Sequence, residues 1–194
     1  VSYTQIIIDT NSYLRIAQNI HPLLGLPFGE EEFALYILSE LNDEFKNSSR
    51  LQNKFHWASD QEWIENRKKF LKLNKKVNAD IEDTYEYMWA YVKADLMPSQ
   101  VKFPSPVDTR MIATAAVLEI EVVTDDRPMI DLAKIYGVPH LTSLELLKRM
   151  HDRNRISTAE IEKIVVQWQY DKDTPYRNWK SEYKTLFGAP PPKE

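Results

Sequence analysis

The chain is 194 residues long, 43% hydrophobic and 28% charged, so it can bury one sizeable core without a second domain. It has no cysteine, which excludes disulfides and thiolate metal sites, leaves oxygen or imidazole as metal ligands, and makes a cytoplasmic location the expectation. The net charge of −4 argues against coating nucleic acid by bulk electrostatics; no apolar run approaches a membrane span, and the opening VSYTQIIIDT lacks the basic start of a secretion signal.

In chain order, TQIIID is a short β-branched run closed by Asp9-Thr10-Asn11, and SYLRIAQNI has helical spacing at Leu14, Ile16 and Ala17, so a buried strand feeds directly into a helix. HPLLGLPFG, with two prolines and two glycines, reads as a loop. From Glu30 to Phe45 an apolar stripe at Phe33, Ala34, Ile37, Leu38, Leu41 and Phe45 predicts one helix. Residues 46–99 differ in organisation: Ser59-x-x-Glu62 is a capping box that would open a helix to about Lys76, and a second helix with Ile81, Tyr85, Met88, Trp89, Val92 and Leu96 on one face would stop at Met97-Pro98. This pattern predicts an inserted helical hairpin, with Trp57, Trp63 and Trp89 as core or as a recognition surface.

After Pro106 the sequence alternates again: a helix from about Asp108 to Leu118, the strand IEVVT, the short helix MIDLAKIYG closed by Gly137, and the extended VPHL. Capping boxes at Thr142-x-x-Glu145 and Ser157-x-x-Glu160 open helices to about Met150 and Tyr170. A helical extension over about 152–188 ends with Trp179, Tyr183, Leu186 and Phe187, and a disordered tail is expected over 189–194. The whole predicts a single α/β domain, three layers around a central parallel sheet, with the helical insertion at about 46–99.

In an open parallel sheet, ligands bind beyond the carboxyl ends of the strands. Both apolar runs end there in acids, Asp9 after IIID and Asp125-Asp126 after VVT, while Asp108 opens the helix before the second run. Carboxylates gathered in one place raise one another's pKa, and a hard divalent cation, Mg²⁺ or Mn²⁺, removes that penalty. Each acid also has a plain reading: Asp9 and Asp108 as helix N-caps, Asp125 and Asp126 as turn residues before Pro128.

DTRMIATAAVLEIEVVTDDRPMIDLAKIYGV resembles the carboxyl half of PIN-domain nucleases, and IIIDTNSYL resembles their opening strand and first catalytic Asp. The likeness spans about residues 4–45 and 100–151 and leaves out the insertion and the extension. It implies a PIN-like fold in which Asp9, Asp108 and Asp126 hold Mg²⁺ or Mn²⁺, with Asp125 accessory and Thr124 supporting by hydrogen bonding. It also implies a Glu on the second long helix. LSEL puts Glu40 there, whereas helical phase places Glu44 on the edge of the apolar stripe and keeps it as a competitor. The usual second strand is hard to find near Leu23 to Phe28. Arg15, Arg110 and Arg127, nearest the acids in sequence, are candidate phosphate ligands or ordinary surface arginines.

The activity implied is metal-dependent endoribonuclease cleavage leaving a 5′-phosphate and a 3′-hydroxyl. Its biological setting would be the toxin of a bacterial toxin–antitoxin pair, with RNA as substrate, an antitoxin as protein partner, a homodimer left open and no membrane. RNA against DNA stays undecided. The rival reading is a noncatalytic PIN-like scaffold acting through the insertion. A haloacid-dehalogenase-type phosphatase would need Asp-x-Asp where Asp9-Thr10-Asn11 stands, and a receiver domain would need its acidic pair on the first strand. His21, His56, His140 and His151 show no partner spacing.

Overall fold

A computed structural model describes residues 3–99 and 102–193. Val1, Ser2 and Glu194, at the ends of the opening segment and the tail, and Gln100 and Val101, where the second stretch of the likeness begins, lie outside it, as do the side chains of Leu41 and Asn42.

Four parallel strands, β1 (Thr4–Ile8), β2 (Phe33–Tyr36), β3 (Glu121–Val123) and β4 (His140–Leu141), form one sheet in the order β2-β1-β3-β4. Successive side chains of a strand point to opposite faces. Ile6, Ile7 and Ile8 are all 0% exposed, so both faces of the sheet are covered by helices, the three-layer α/β arrangement expected. Pairing of Ile7 with both Tyr36 and Val122 makes β1 a central strand, which is why its run is continuously apolar rather than alternating.

β2 corrects the helix predicted from Glu30. A contiguous apolar run such as Phe33-Ala34-Leu35-Tyr36 satisfies either period, and the edge of β1 needs a partner. The turn before it uses Gly29 at φ +74° and Glu32 at φ 50°, and Phe28 and Phe33 exchange backbone hydrogen bonds of 2.9 Å. The helix begins only at α2 (Ser39–Asn47), after α1 (Thr10–Ala17) in chain order.

The insertion is not a hairpin of two long helices. It comprises α3 (Ser49–Lys54), a 3₁₀ turn at His56–Ser59, α4 (Gln61–Asn66) and α5 (Lys75–Tyr91), which continues as a π-turn at Val92–Leu96. The Ser59/Glu62 box does not form; Asp60 sits at the N-cap of α4 without a side-chain cap bond. The predicted helix to Lys76 breaks after Asn66, Phe70 makes a parallel bridge with Ile37, and Asn74 starts α5 by accepting from Val77 N–H at 2.9 Å. Buried Asn66 stitches the insertion to the loop after α1, accepting from Leu24 N–H and donating to Leu24 C=O. Trp57 is buried, while Trp63 and Trp89 are partly buried against the core.

The carboxyl half follows its sequence signals closely. α6 (Pro106–Leu118) packs along α5, α7 (Arg127–Ile135) ends before Gly137 at φ +66°, and both predicted capping boxes form, opening α8 (Ser143–Asp152) and α9 (Thr158–Tyr170). α9 lies against α1, where Trp168 Nε1 donates to Arg15 C=O, and α10 (Trp179–Phe187) packs on α8. The tail expected to be disordered folds back, with Gln169 Nε2 donating to Pro192 C=O at 2.9 Å. No described helix is long and apolar enough to cross a membrane.

Candidate acidic site

Asp9, Asp108, Asp126 and Glu44 line one cavity of about 200 Å³ at the carboxyl edge of β1 and β3. The backbone delivers each acid by a simple local rule. Asp9 follows the last isoleucine of β1 and caps α1, its Oδ1 accepting from Ser12 N–H at 2.5 Å. Asp126 caps α7 in the same way, accepting from Met129 N–H at 3.1 Å. Asp108 is the third residue of a capping box with Ser105, in which each side chain accepts the other's backbone N–H. The N-cap and ligand readings therefore coexist. A carboxylate has about four lone-pair sites, so one capping bond leaves acceptor capacity toward the cavity.

The electrostatics differ from those of ordinary caps. Burial, the largest influence, and the charge of Asp125 push the Asp9 carboxyl from its ordinary 3.8 to about 6, although hydrogen bonds from Thr124 and Ser12 oppose the rise. Asp126 stands at the open rim. Partial screening from water is the main cause of its upward shift, Asp108 adds to it, and the Met129 N–H and Lys102 work against it. A site that penalises its own charge in this way favours a positive ligand.

Glu44, the competitor on the stripe's edge, reaches the cavity and accepts from Thr10 Oγ1 at 2.7 Å. Glu40 is not among the residues that line it and is instead paired with Arg110 at 3.2 Å and accepts from Ser39 Oγ at 2.9 Å. Thr124, 0% exposed, accepts from Asp126 N–H at 3.1 Å and so fixes the strand end that presents Asp126.

Asp125 has a different task. It accepts from Ser143 N–H at 2.9 Å and Ser143 Oγ at 2.6 Å, and it pairs with Arg15 at 2.8 Å. This knot ties β3 to the start of α8 and to α1, and Asp125 lines a neighbouring cavity rather than the one that holds Asp9 and Asp126.

Two of the three candidate phosphate arginines are committed elsewhere. Arg15 is only 12% exposed in its side chain and joins Asp125 and Asp173. Arg110 bridges Glu40 and Glu82 and lies 5.5 Å from the Tyr85 ring centre, holding α6 to α2 and α5. Arg127 is 74% exposed beside Asp126, and its one ion pair among the described residues is with Asp131 one turn on, so it is free to swing toward a ligand. The cation that sequence reasoning missed is Lys102, whose charge reaches Asp126. It lies in an irregular segment before α6, where no periodicity signals it.

Among the described residues, no group of three or more His, Cys, Asp or Glu side chains is arranged to enclose a metal ion by itself. A cation at this cavity would therefore have to be one that needs few protein ligands. Mg²⁺ holds to one or two carboxylates, keeps several waters and completes its shell with substrate phosphate, whereas an all-protein cage would need closer ligands.

The fold and its acids define an α/β protein with a four-stranded parallel sheet and an acidic cavity at the carboxyl ends of its strands. No family model matches the chain, and no curated protein matches it either. Among solved structures it is similar to the crystal structure of FitAcB from Neisseria gonorrhoeae, at 18% identity and a TM-score of 0.42, over 71% of this chain and 97% of that one.

Proposed function

We propose that the chain is a PIN-type, divalent-cation-dependent phosphodiester hydrolase acting on RNA, with Asp9, Asp108, Asp126 and Glu44 as its acidic set. The carrying observation is the convergence of these four acids, from four separate elements, on one cavity in which Asp9 is pushed to about 6. A bound Mg²⁺ or Mn²⁺ would lower the pKa of a water and neutralise charge on the phosphate under attack. The protein's own contribution is orientation. Asp9 and Asp126 are locked by caps on α1 and α7, Asp108 by its box with Ser105, and Glu44 by the Thr10 hydroxyl. Until their charge is compensated, these acids repel phosphate, which makes substrate binding conditional on the cation. Lys102, whose charge reaches Asp126, and Arg127, which follows Asp126 in the chain and lines the neighbouring cavity, would then supply positive charge for the flanking backbone.

The toxin of a toxin–antitoxin pair, cytoplasmic and silenced by an antitoxin over the acidic cavity, is the biological role we attach to this chemistry. It rests on the likeness of IIIDTNSYL and DTRMIATAAVLEIEVVTDDRPMIDLAKIYGV to PIN nucleases. The noncatalytic scaffold remains the second reading, favoured by the absence, among the described residues, of a ready three-ligand group.

The test is cleavage of labelled RNA and single-stranded DNA in Mn²⁺, Mg²⁺ or EDTA by the wild type, Asp9→Asn and Asp126→Asn. Cation-dependent RNA cutting that both substitutions abolish is expected. Cutting that survives EDTA and both substitutions would sink the hydrolase mechanism, and no cutting together with no Mn²⁺ binding by calorimetry would leave the scaffold.

A further inference from the structure

The insertion and the end of α2 build a second cavity, of about 450 Å³, to which α2 contributes Phe45 and Lys46. Its described lining combines cations, Lys46, Arg67 and Lys68, with apolar surface from Phe45, Ile64 and Phe70, and contains no acid. Phe70 is 40% exposed and Ile64 36%, on a chain segment that is otherwise mostly polar. The two lysines are 73% and 58% exposed, and their pairs among the described residues are i,i+3 contacts with Asp43 and Glu65, weak enough to yield to a stronger anion. Phe70 is held in place by the bridge of its backbone to Ile37, so its ring is presented from a fixed support.

We infer that this cavity is a nucleotide subsite for single-stranded RNA, in which a base stacks on Phe70 and Lys46 and Lys68 take the adjoining phosphates. An exposed ring flanked by mobile cations is what sequence-tolerant binding of a single strand requires, since every base has a stacking face and every linkage a negative charge. The acidic cavity cannot itself hold the strand, because its charge has the wrong sign. Glu44 lines one cavity while the next two residues, Phe45 and Lys46, line the other, so α2 contributes to both, from faces that a strand leaving the acidic cavity would reach by passing round the helix. This inference deepens the hydrolase reading, on which it rests, by assigning the insertion a part in substrate binding.

The experiment measures binding of a short fluorescent single-stranded RNA by anisotropy. It uses the full chain silenced by Asp9→Asn, with and without Mg²⁺, over a series of salt concentrations. Phe70→Ala should weaken binding roughly tenfold, and Phe70→Leu nearly as much, because leucine restores apolar surface but not stacking. Lys46→Glu with Lys68→Glu should flatten the plot of log affinity against log salt by about 0.7 for each phosphate no longer neutralised. Lys163→Glu, on the exposed face of α9, makes the same change of charge at a distance and should do far less. All these side chains are exposed, so folding is retained and can be verified by thermal melts.

Binding unchanged in the Phe70 and lysine variants, or matched by Lys163→Glu, overturns the subsite, as does failure of the parent to bind RNA at all. The two readings separate cleanly. Acid-dependent RNA cutting with indifferent pocket variants leaves the hydrolase and removes the subsite, whereas pocket-dependent binding without cutting does the reverse.

Discussion

At the β3 carboxyl end, Asp125 is surrounded by donors: the Ser143 N–H and hydroxyl, and the Arg15 guanidinium. Asp126, one residue later, instead shares a cavity with Asp9, Asp108 and Glu44, and its nearest influences include another negative charge. Neighbouring carboxylates on one strand end have thus been given opposite surroundings. A carboxylate that holds structure together is satisfied from within the protein, and one kept for a ligand is left short of positive charge.

The sharpest way to break this comparison is to remove each acid. Asp125→Ala leaves Ser143 without its acceptor and Arg15 with only the longer contact to Asp173, and should cost about 3–5 kcal/mol in urea unfolding. Asp126→Ala removes one cap and should cost about 1 kcal/mol. Equal losses would mean that the two acids are not functionally distinct.

The next largest effect is one of pH. The Asp9 carboxyl is raised in the folded chain, so the folded state binds more protons than the unfolded state between its ordinary 3.8 and about 6. Stability without cation should therefore fall as pH rises through that window, by roughly 3 kcal/mol at most. Asp9→Asn should abolish the fall and be more stable than wild type at pH 7, while being no better below the window. Mn²⁺ should restore part of the wild-type loss at pH 7 but none in the variant. A flat difference between the two proteins across pH 4–7 would contradict the account of Asp9 as a strained, cation-seeking acid.

Glu44 and Glu40 sharpen the comparison further, since one faces the cavity and the other an arginine. In Mn²⁺-dependent RNA cleavage, Glu44→Gln should lose on the order of a hundredfold in rate, whereas Glu40→Gln should change it a few-fold at most, in keeping with general acid–base and positioning contributions. The reverse order would show that α2 turns when substrate binds and exchanges one glutamate for the other.

Which of these features the sequence reveals follows from how local each one is. Asp9 is legible because a strand end and a helix cap are both written in consecutive residues, as are the boxes at Thr142 and Ser157, whereas Asp126 is separated from Asp125 only by the likeness to PIN nucleases, since adjacent residues at a strand end share every local signal. Asp108 is harder but still local, a first-turn acid beside Ser105. β2 is hidden because four apolar residues in a row carry no period, and reading it as helix also blurs the phase that separates Glu40 from Glu44. The long helix predicted after Ser59 fails for a different reason: Asn66 turns inward to clasp Leu24, a partner 42 residues distant that no window along the chain contains. The arginines show the same limit. Arg15 and Arg110 are near the acids in sequence, yet Arg15 is held by Asp125 and by Asp173 after α9, and Arg110 by acids of α2 and α5.

The smallest expected effect concerns the remaining arginine. Arg127 is exposed, and its pair with Asp131 spans a single turn, so Arg127→Ala should leave stability within about 0.5 kcal/mol of wild type. If it serves the rim of the acidic cavity, it acts only once a phosphate is present. Its loss should then raise KM for RNA several-fold while kcat stays near wild type, and the effect should shrink at high salt, as expected for an exposed charge. An equal fall in kcat would instead place the guanidinium on the reacting phosphate. An unchanged KM would leave Lys102 to carry the rim alone, and Lys102→Ala should then show the salt-dependent KM increase that Arg127→Ala lacks.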